Sequence, residues 1–556
     1  MTHDLAALLP IAEIRQASTA LERPRTGRGS IYLPLGTQID YYLDLSAGSE
    51  LSLAAVAVRG ASAGRLEIIA QEEGEPDRLL QRLEAGARAE TIELPGKDRR
   101  LLRLSLRAEP APVSGVGGLL IARPVVLAAS NTADTAKPPA TPAPRPSPAR
   151  PNVIVYLVDT LRADRLGCYG YPKPVSPHLD KFARGATLFE TAIAQASWTR
   201  PSVASVLTGL GPLAHGVQTL EDRLPEKVDT LAEKLRAAGY RTAAFSTNWH
   251  VAADTGFAQG FDDFLFFPQE PDSAAVNRRV LDWVDQHGKE PFFLYIHALD
   301  PHAPYDPPPD LRQRFAAGIR AEAGKAESLR EIYRARRAER ARMIAEISPL
   351  YDAEIAANDR SFGALMGALH KRGMFEGSTV VFVSDHGEEL GDHQALGHAR
   401  TLYAEVINVP LVIKRPYQAR GERIARVAQH LDLVPTILAA SGLRVPASLP
   451  GTDLFRPTPE SRPAFAHLSY RARRGMAVVH DGWKWIEPWS QKFGPGPALY
   501  HGKDETEDLA HSYPVRSGYL ASLVRAEALR GRRGFKPENA EMDEEMLRGL
   551  DALGYL

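Results

Sequence analysis

Between Lys137 and Pro151 the chain reads KPPATPAPRPSPARP, seven prolines in fifteen positions. Proline fixes φ and lacks the N–H that helix and sheet ladders need, so this stretch is expected to form an extended polyproline II spacer. A chain of 556 residues interrupted in this way must pack on either side of the spacer. The texture differs across it. Upstream, SELSLAAVAVRG, RLEIIAQ, ETIEL and RLLRLSLRA are short, alternating or apolar runs set between Gly, Ser and charged turns, which reads as an all-β sandwich over 25–130. Downstream, NVIVYLVD, HLDKFARGA, LAEKLRAAGY, RTAAFST, PFFLYIHALD and STVVFVSDHG alternate strand with helix, the pattern of an α/β fold with a mostly parallel sheet and flanking helices.

Lys and Arg total 67 against 68 Asp and Glu, and a net charge of −1 supplies no broad basic field, so nucleic acid is excluded as an expected partner. A single cysteine, Cys168, excludes a disulfide framework and a thiolate metal cluster. Any metal must therefore sit on Asp and His. No apolar run reaches the roughly 18 residues of a transmembrane helix. The start, MTHDLAALLPIAEIRQ, carries no export signal, so the expected location as written is cytoplasmic; a start further upstream would reverse that expectation. Oligomeric state is not legible.

Chemistry concentrates downstream of the spacer. Three apolar runs finish on or near a carboxylate, at Asp159, Asp300 and Asp385, and active sites of open α/β sheets collect at the carboxyl ends of strands. In VVFVSDHGEE, Asp385 and His386 are neighbours and converge only if the strand has ended, which Gly387 permits. In SWTRPSVASVLTG, Thr199 stands where a turn feeds a helix closed by Gly209, and a helix N-terminus favours an anionic phosphate or sulfate. By contrast, the Arg-rich REIYRARRAERAR from Arg330 to Arg342 reads as a solvated helix. The upstream sandwich gathers no catalytic groups and reads as a packing or docking module.

The ordered stretches NVIVYLVDTLRADRLGCYGY, WTRPSVASVLTGLGPLAHGV, FFLYIHALDPHAPY and VVFVSDHGEELGDHQALGHARTLYAEVINVPLVI resemble the sulfatase-like branch of the alkaline phosphatase superfamily. The resemblance covers the chain from about 150 onward. ALYHGKDETEDLA and LRGLDALGYL resemble that family's late hairpin and last helix. The chain is thus expected to have five parts, an N-terminal segment 1–24, the sandwich, a linker 131–151, and, as the resemblance implies, a catalytic α/β domain 152–460 and a C-terminal subdomain 461–556. The resemblance further implies Thr199 as nucleophile, with Asp159, Thr199, Asp385 and His386 holding a divalent ion (Mn, Zn, Mg or Ca) that activates the hydroxyl. His302 in DPH faces the leaving group, His215 in AHGV contacts the anion, and His398 and Arg200 are the implied substrate contacts.

Two departures shape the expected reaction. Sulfatases proper make formylglycine from Cys or Ser in a C/S-x-P-x-R pattern, but here the pattern reads Thr199, Arg200, Pro201, Ser202, Val203. The paired aspartates read Asp159 and Thr160. The expectation is a hydrolase that cleaves a phosphate diester, phosphonate or related ester of a small molecule, lipid head group or glycan through a covalent Thr199 intermediate. The alternatives are sulfate ester hydrolysis without formylglycine, or an idle binding member. A second metal on Asp300, His302 and His398 competes with Asp300 as a turn-capping carboxylate, His302 as general acid and His398 as an anion contact.

Overall fold

The computed structural model describes residues 2–16, 23–27, 29–60, 64–96, 98–110, 117–127, 150–270, 272–457, 461–490 and 496–555. Most of the expected linker, 131–149, lies outside the described residues. The described chain forms two compact units, one of strands upstream of the linker with Gly482–Glu487 and Pro497–Arg530, the other holding the remainder. Segments 482–487 and 497–530, read from the sequence with a C-terminal subdomain, thus group with the upstream strands.

The first unit is a sandwich of two antiparallel sheets, of seven and five strands. Leu33, Leu51 and Leu119 of one sheet share a core with Ile39, Leu66 and Leu104 of the other, the alternation expected when each sheet buries one face. It starts earlier than the sequence pattern indicates. Thr2–Asp4 pairs with Val125–Leu127, and Glu13–Gln16 pairs with Thr37–Asp40. These strands are too short for a period-2 signal to stand out.

The second unit is built on an eight-stranded sheet. In chain order its elements are β1 (Val153–Val158), α1 (Pro177–Ala183), β2 (Thr187–Phe189), α2 (Thr199–Thr208), α3 (Leu231–Ala237), β3 (Arg241–Ser246), β4 (Asp263–Phe266), α4 (Ser273–His287), β5 (Phe292–Ala298), α5 (Arg337–Lys371), β6 (Thr379–Ser384), β7 (Leu411–Lys414), β8 (Glu422–Ile424), α6 (Leu433–Ala440) and α7 (Glu544–Ala552). The spatial order is β4-β3-β5-β1-β6-β7-β2-β8. The first five strands of that order run parallel, and β7 is antiparallel to both neighbours.

β1 shows why the sequence folds this way. All six of its residues are buried. Ile154, Tyr156 and Val158 join a core with α1, α4 and α5. Val153, Val155 and Leu157 join another with α2, α3 and α6. A strand apolar at every position belongs in a sheet covered on both faces, and each such side chain contributes about 1.5–3 kcal/mol of burial. Among the described residues no helix is long and apolar enough to cross a membrane.

Candidate active site

Register places the site. Val158 pairs with Ala298 on one side and Ser384 on the other, so β1, β5 and β6 end level. Asp159 and Asp385 are the first residues beyond two of those ends. The turn at Asp385-His386 works as expected: Gly387 lies so close to the Glu405 carbonyl that a Cβ would clash. Thr160 adopts a left-handed conformation, φ 56°, which costs a β-branched residue roughly 1–3 kcal/mol. It is held there because its N–H donates to Asp385 Oδ1 at 3.2 Å and its carbonyl accepts from Tyr351.

The nucleophile candidate comes from the helical layer. Thr199 opens α2, and Gly209 closes it with φ 71°. No side chain caps the α2 N-terminus, which leaves its N–H groups and dipole for an anion. One turn on, Ser202 Oγ donates to the Asp385 carbonyl at 2.6 Å and ties the helix to the end of β6. Thr199 Oγ1 then lies 3.2 Å from His386 Nε2.

Proton counting shows what this cluster can hold. Asp159 Oδ2 accepts from Asn248 Nδ2 at 2.6 Å and pairs with His297 Nε2 at 3.1 Å. Asp385 Oδ1 accepts the N–H of Thr160 and, at 2.8 Å, that of His386. The other oxygens, Asp159 Oδ1 and Asp385 Oδ2, are buried and have no hydrogen-bond partner. His386 Nδ1 faces the Gly387 carbonyl at 2.9 Å and must carry the proton. The Nε2 lone pair therefore meets Asp159 Oδ1 at 3.6 Å and Asp385 Oδ2 at 3.4 Å. Three electron-rich atoms converging with no donor among them fit a divalent cation. The electrostatics agree. Burial opposes charge on both acids, but His302, His297 and His386 outweigh it at Asp159, holding that acid below its usual range. Burial and then the Asp159 charge push Asp385 well up, because two acids this close oppose each other's ionisation, a repulsion that a cation between them would relieve. Burial also draws His386 down to about 3, keeping the ligand form.

Opposite the acids lies a ring of hydrogen-bonding groups centred on Tyr555. Its hydroxyl is 3.0 Å from Thr199 Oγ1, 2.7 Å from His398 Nε2 and 3.3 Å from His302 Nε2. His302 Nδ1 faces the Ala303 carbonyl at 2.5 Å, which directs Nε2 inward. His398 Nδ1 pairs with Glu388 Oε1 at 3.0 Å. Burial raises Glu388 to about 7 and lowers His398 to about 4. A cavity of about 220 Å³ opens beside this ring, lined by His302, His398, Arg400, Arg471, Arg473 and Tyr555 among others.

Two expected residues are not brought to the cluster. Arg200, fully buried, donates to the carbonyls of Leu220 and Asp222 and anchors that loop. His215 pairs through Nε2 with Ser205 Oγ at 3.2 Å, six residues along the chain from Thr199, and accepts the Val217 N–H at Nδ1. Arg200 uses only Nη1 for its two carbonyls, its Nε and Nη2 being buried without a hydrogen-bond partner among the described residues. Asp300 accepts from the N–H and hydroxyl of Ser273, capping the start of α4, so the second-metal grouping does not form around it. Conversely, sequence reading missed Asn248, His297, Glu388 and Tyr555. Asn248 follows β3 and His297 sits in β5 as a polar residue in an apolar run, signals at strand ends that were there to be read. Tyr555 had no such local signal.

The family model described as Sulfatase matches residues 151–443. An ulvan-active sulfatase of Formosa agariphila is 27% identical over 351 residues, covering 56% of this chain and 67% of that protein. Human arylsulfatase A is 28% identical over 340 residues, covering 55% and 67%. The crystal structure of a phosphonate monoester hydrolase of Agrobacterium radiobacter superposes with a TM-score of 0.58 at 21% identity, over 69% of this chain and 96% of that one. Because the family model spans more than half of the sequence and the structure carries the same fold, the chain belongs to the sulfatase family, ester hydrolases of the alkaline phosphatase superfamily.

Proposed function

We propose that this chain cleaves a phosphate diester, phosphonate or related ester by way of a covalent adduct on Thr199. The observation that carries the reading is the placement of Thr199 Oγ1, an oxygen that cannot become formylglycine, at an uncapped helix N-terminus 3.2 Å from His386 Nε2. Asp159, Asp385, His386 and Thr199 would hold the divalent ion. The oxygen and imidazole set suits Mn, Mg, Ca or Zn, and elemental analysis identifies which. When bound, the ion lowers the hydroxyl pKa and neutralises charge on the substrate.

The residues supply the rest. Asn248 and His297 orient Asp159, and Ser202 fixes α2 against β6. The bond forms between Thr199 Oγ1 and the central atom, and the bond to the leaving oxygen breaks. His302, its Nδ1–H held by Ala303, presents Nε2 to that oxygen. Burial lowers its pKa and favours the neutral ring, so Nε2 takes up a proton in the reaction before giving it to that oxygen. Water then releases the adduct. The names of the relatives favour a second reading, sulfate ester hydrolysis with the same residues.

An activated aryl phosphate diester, quenched early and analysed by mass spectrometry, tests the first reading. The expected outcome is a stoichiometric phosphoryl adduct on the peptide holding Thr199, with Thr199→Ala losing more than a thousandfold and Thr199→Ser retaining partial turnover. An alanine variant that keeps more than a tenth of the rate would sink the covalent scheme. A panel of aryl phosphate, diester, phosphonate and sulfate ranks the substrates.

A further inference from the structure

Tyr555 reaches the centre through a turn written into ALGYL. α7 ends at Ala552, Gly554 takes φ 83°, the Gly554 N–H donates to the Asp551 carbonyl and the Tyr555 N–H donates to the Leu550 carbonyl. This is a Schellman closure, in which the glycine alone pays no strain and the following residue is thrown back along the helix. The side chain that follows is then gripped at both ends. Its carbonyl accepts from Tyr470 Oη at 2.5 Å and Arg471 Nη2 at 3.0 Å. Its ring, 2% exposed, lies edge-on to His250 at 4.1 Å and stacks on His302 at 5.7 Å.

The position of the hydroxyl decides what this arrangement means. In-line attack begins with the reacting atoms roughly 3–3.5 Å apart. The Tyr555 oxygen is 3.0 Å from Thr199 Oγ1, so it stands where the central atom of a bound ester must be. It also occupies the inward faces of His302 and His398, the two imidazoles placed to contact the ester's oxygens. With the ring seated, an ester cannot be in line with Thr199.

We propose that Tyr555 is a gate of this centre. Its hydroxyl holds the place of the reacting group and leaves when a tetrahedral anion takes that place beside Thr199, His398 and His302. Opening breaks the Tyr470 and Arg471 grips on the carbonyl, and α7 need not unfold. The proposal rests on Thr199 being the reacting group, and its test reads binding rather than turnover, so it fails separately from the proposed reaction.

Inorganic phosphate, titrated calorimetrically into the metal-loaded protein, is the probe. Tyr555→Phe keeps the ring and its packing but removes the hydroxyl, and phosphate Kd is expected to fall at least fivefold. Tyr470→Phe loosens the grip from outside the ring of histidines and is expected to shift Kd in the same direction. In the wild type, saturating phosphate is expected to speed hydrogen exchange at the Gly554 and Tyr555 amides of the turn, with the amides of α7 unchanged. Unchanged or weaker phosphate binding in Tyr555→Phe would show that the hydroxyl is a ligand of the anion rather than a gate and would overturn the proposal. So would exchange that slows on binding.

Discussion

The donor set around Asp159 makes a quantitative prediction at a residue that never touches the reacting atoms. Asn248 Nδ2 donates to Asp159 Oδ2 at 2.6 Å, within a fully buried site, and thereby leaves Oδ1 as the ligand atom. Asn248→Ala removes one of the two hydrogen bonds on that oxygen, with His297 keeping the other. A hydrogen bond to a buried charged group contributes about 1.5–3 kcal/mol, or roughly 10- to 100-fold in an equilibrium constant at about 1.4 kcal/mol per decade. The same range applies when outer partners of metal ligands are removed. The expected result is therefore a 10- to 100-fold rise in the Kd for Mn²⁺, titrated into chelator-stripped protein, with turnover recovered within a few-fold at saturating metal. The substitution also frees the His250 N–H, which donates to Asn248 Oδ1 at 2.8 Å, so thermal melts run alongside. Metal affinity equal to wild type, in a folded variant, would refute the orienting role and with it the assignment of Oδ1 as ligand.

Two further outcomes follow from the same structure. His215→Ala should cost about 2–3 kcal/mol of stability through lost hydrogen bonding and packing, seen as a lower melting temperature, while kcat stays within threefold; a hundredfold loss of kcat at unchanged stability would return His215 to the reaction. Glu389, driven up to about 8 by burial and then by the Glu405 charge, makes stability depend on pH. Its folded pKa exceeds its unfolded one, so the folded state holds the extra proton from about pH 4.5 to 8. The contribution is full below that window and is lost as pH rises through it, at most about 5 kcal/mol. Glu389→Gln should abolish this dependence, and variant and wild-type melting curves that fall in parallel between pH 5 and 9 would contradict it.

Much of the site was legible because strand ends are local events. An apolar run that stops at Asp159, another that stops at Asp385 before a glycine that alone fits against Glu405, and a threonine opening a helix closed by Gly209 are each specified within about ten residues. The βαβ alternation and the sandwich were legible for the same reason, since period and turn residues act over short range. Which side chain meets which was not. Arg200 and His215 sit in the right segment, yet their partners are Leu220, Asp222, Ser205 and Val217, a choice made by the packing of the loop beneath α2. Asn248 and His297 become partners of Asp159 only because β3, β5 and β1 lie side by side in register. Tyr555 lies 356 residues from Thr199 in the chain. The ALGYL turn fixes the local direction of its side chain, but only the docking of α7 in the second unit brings that side chain to the nucleophile, because nothing in a local sequence encodes the distant surface on which a helix comes to rest.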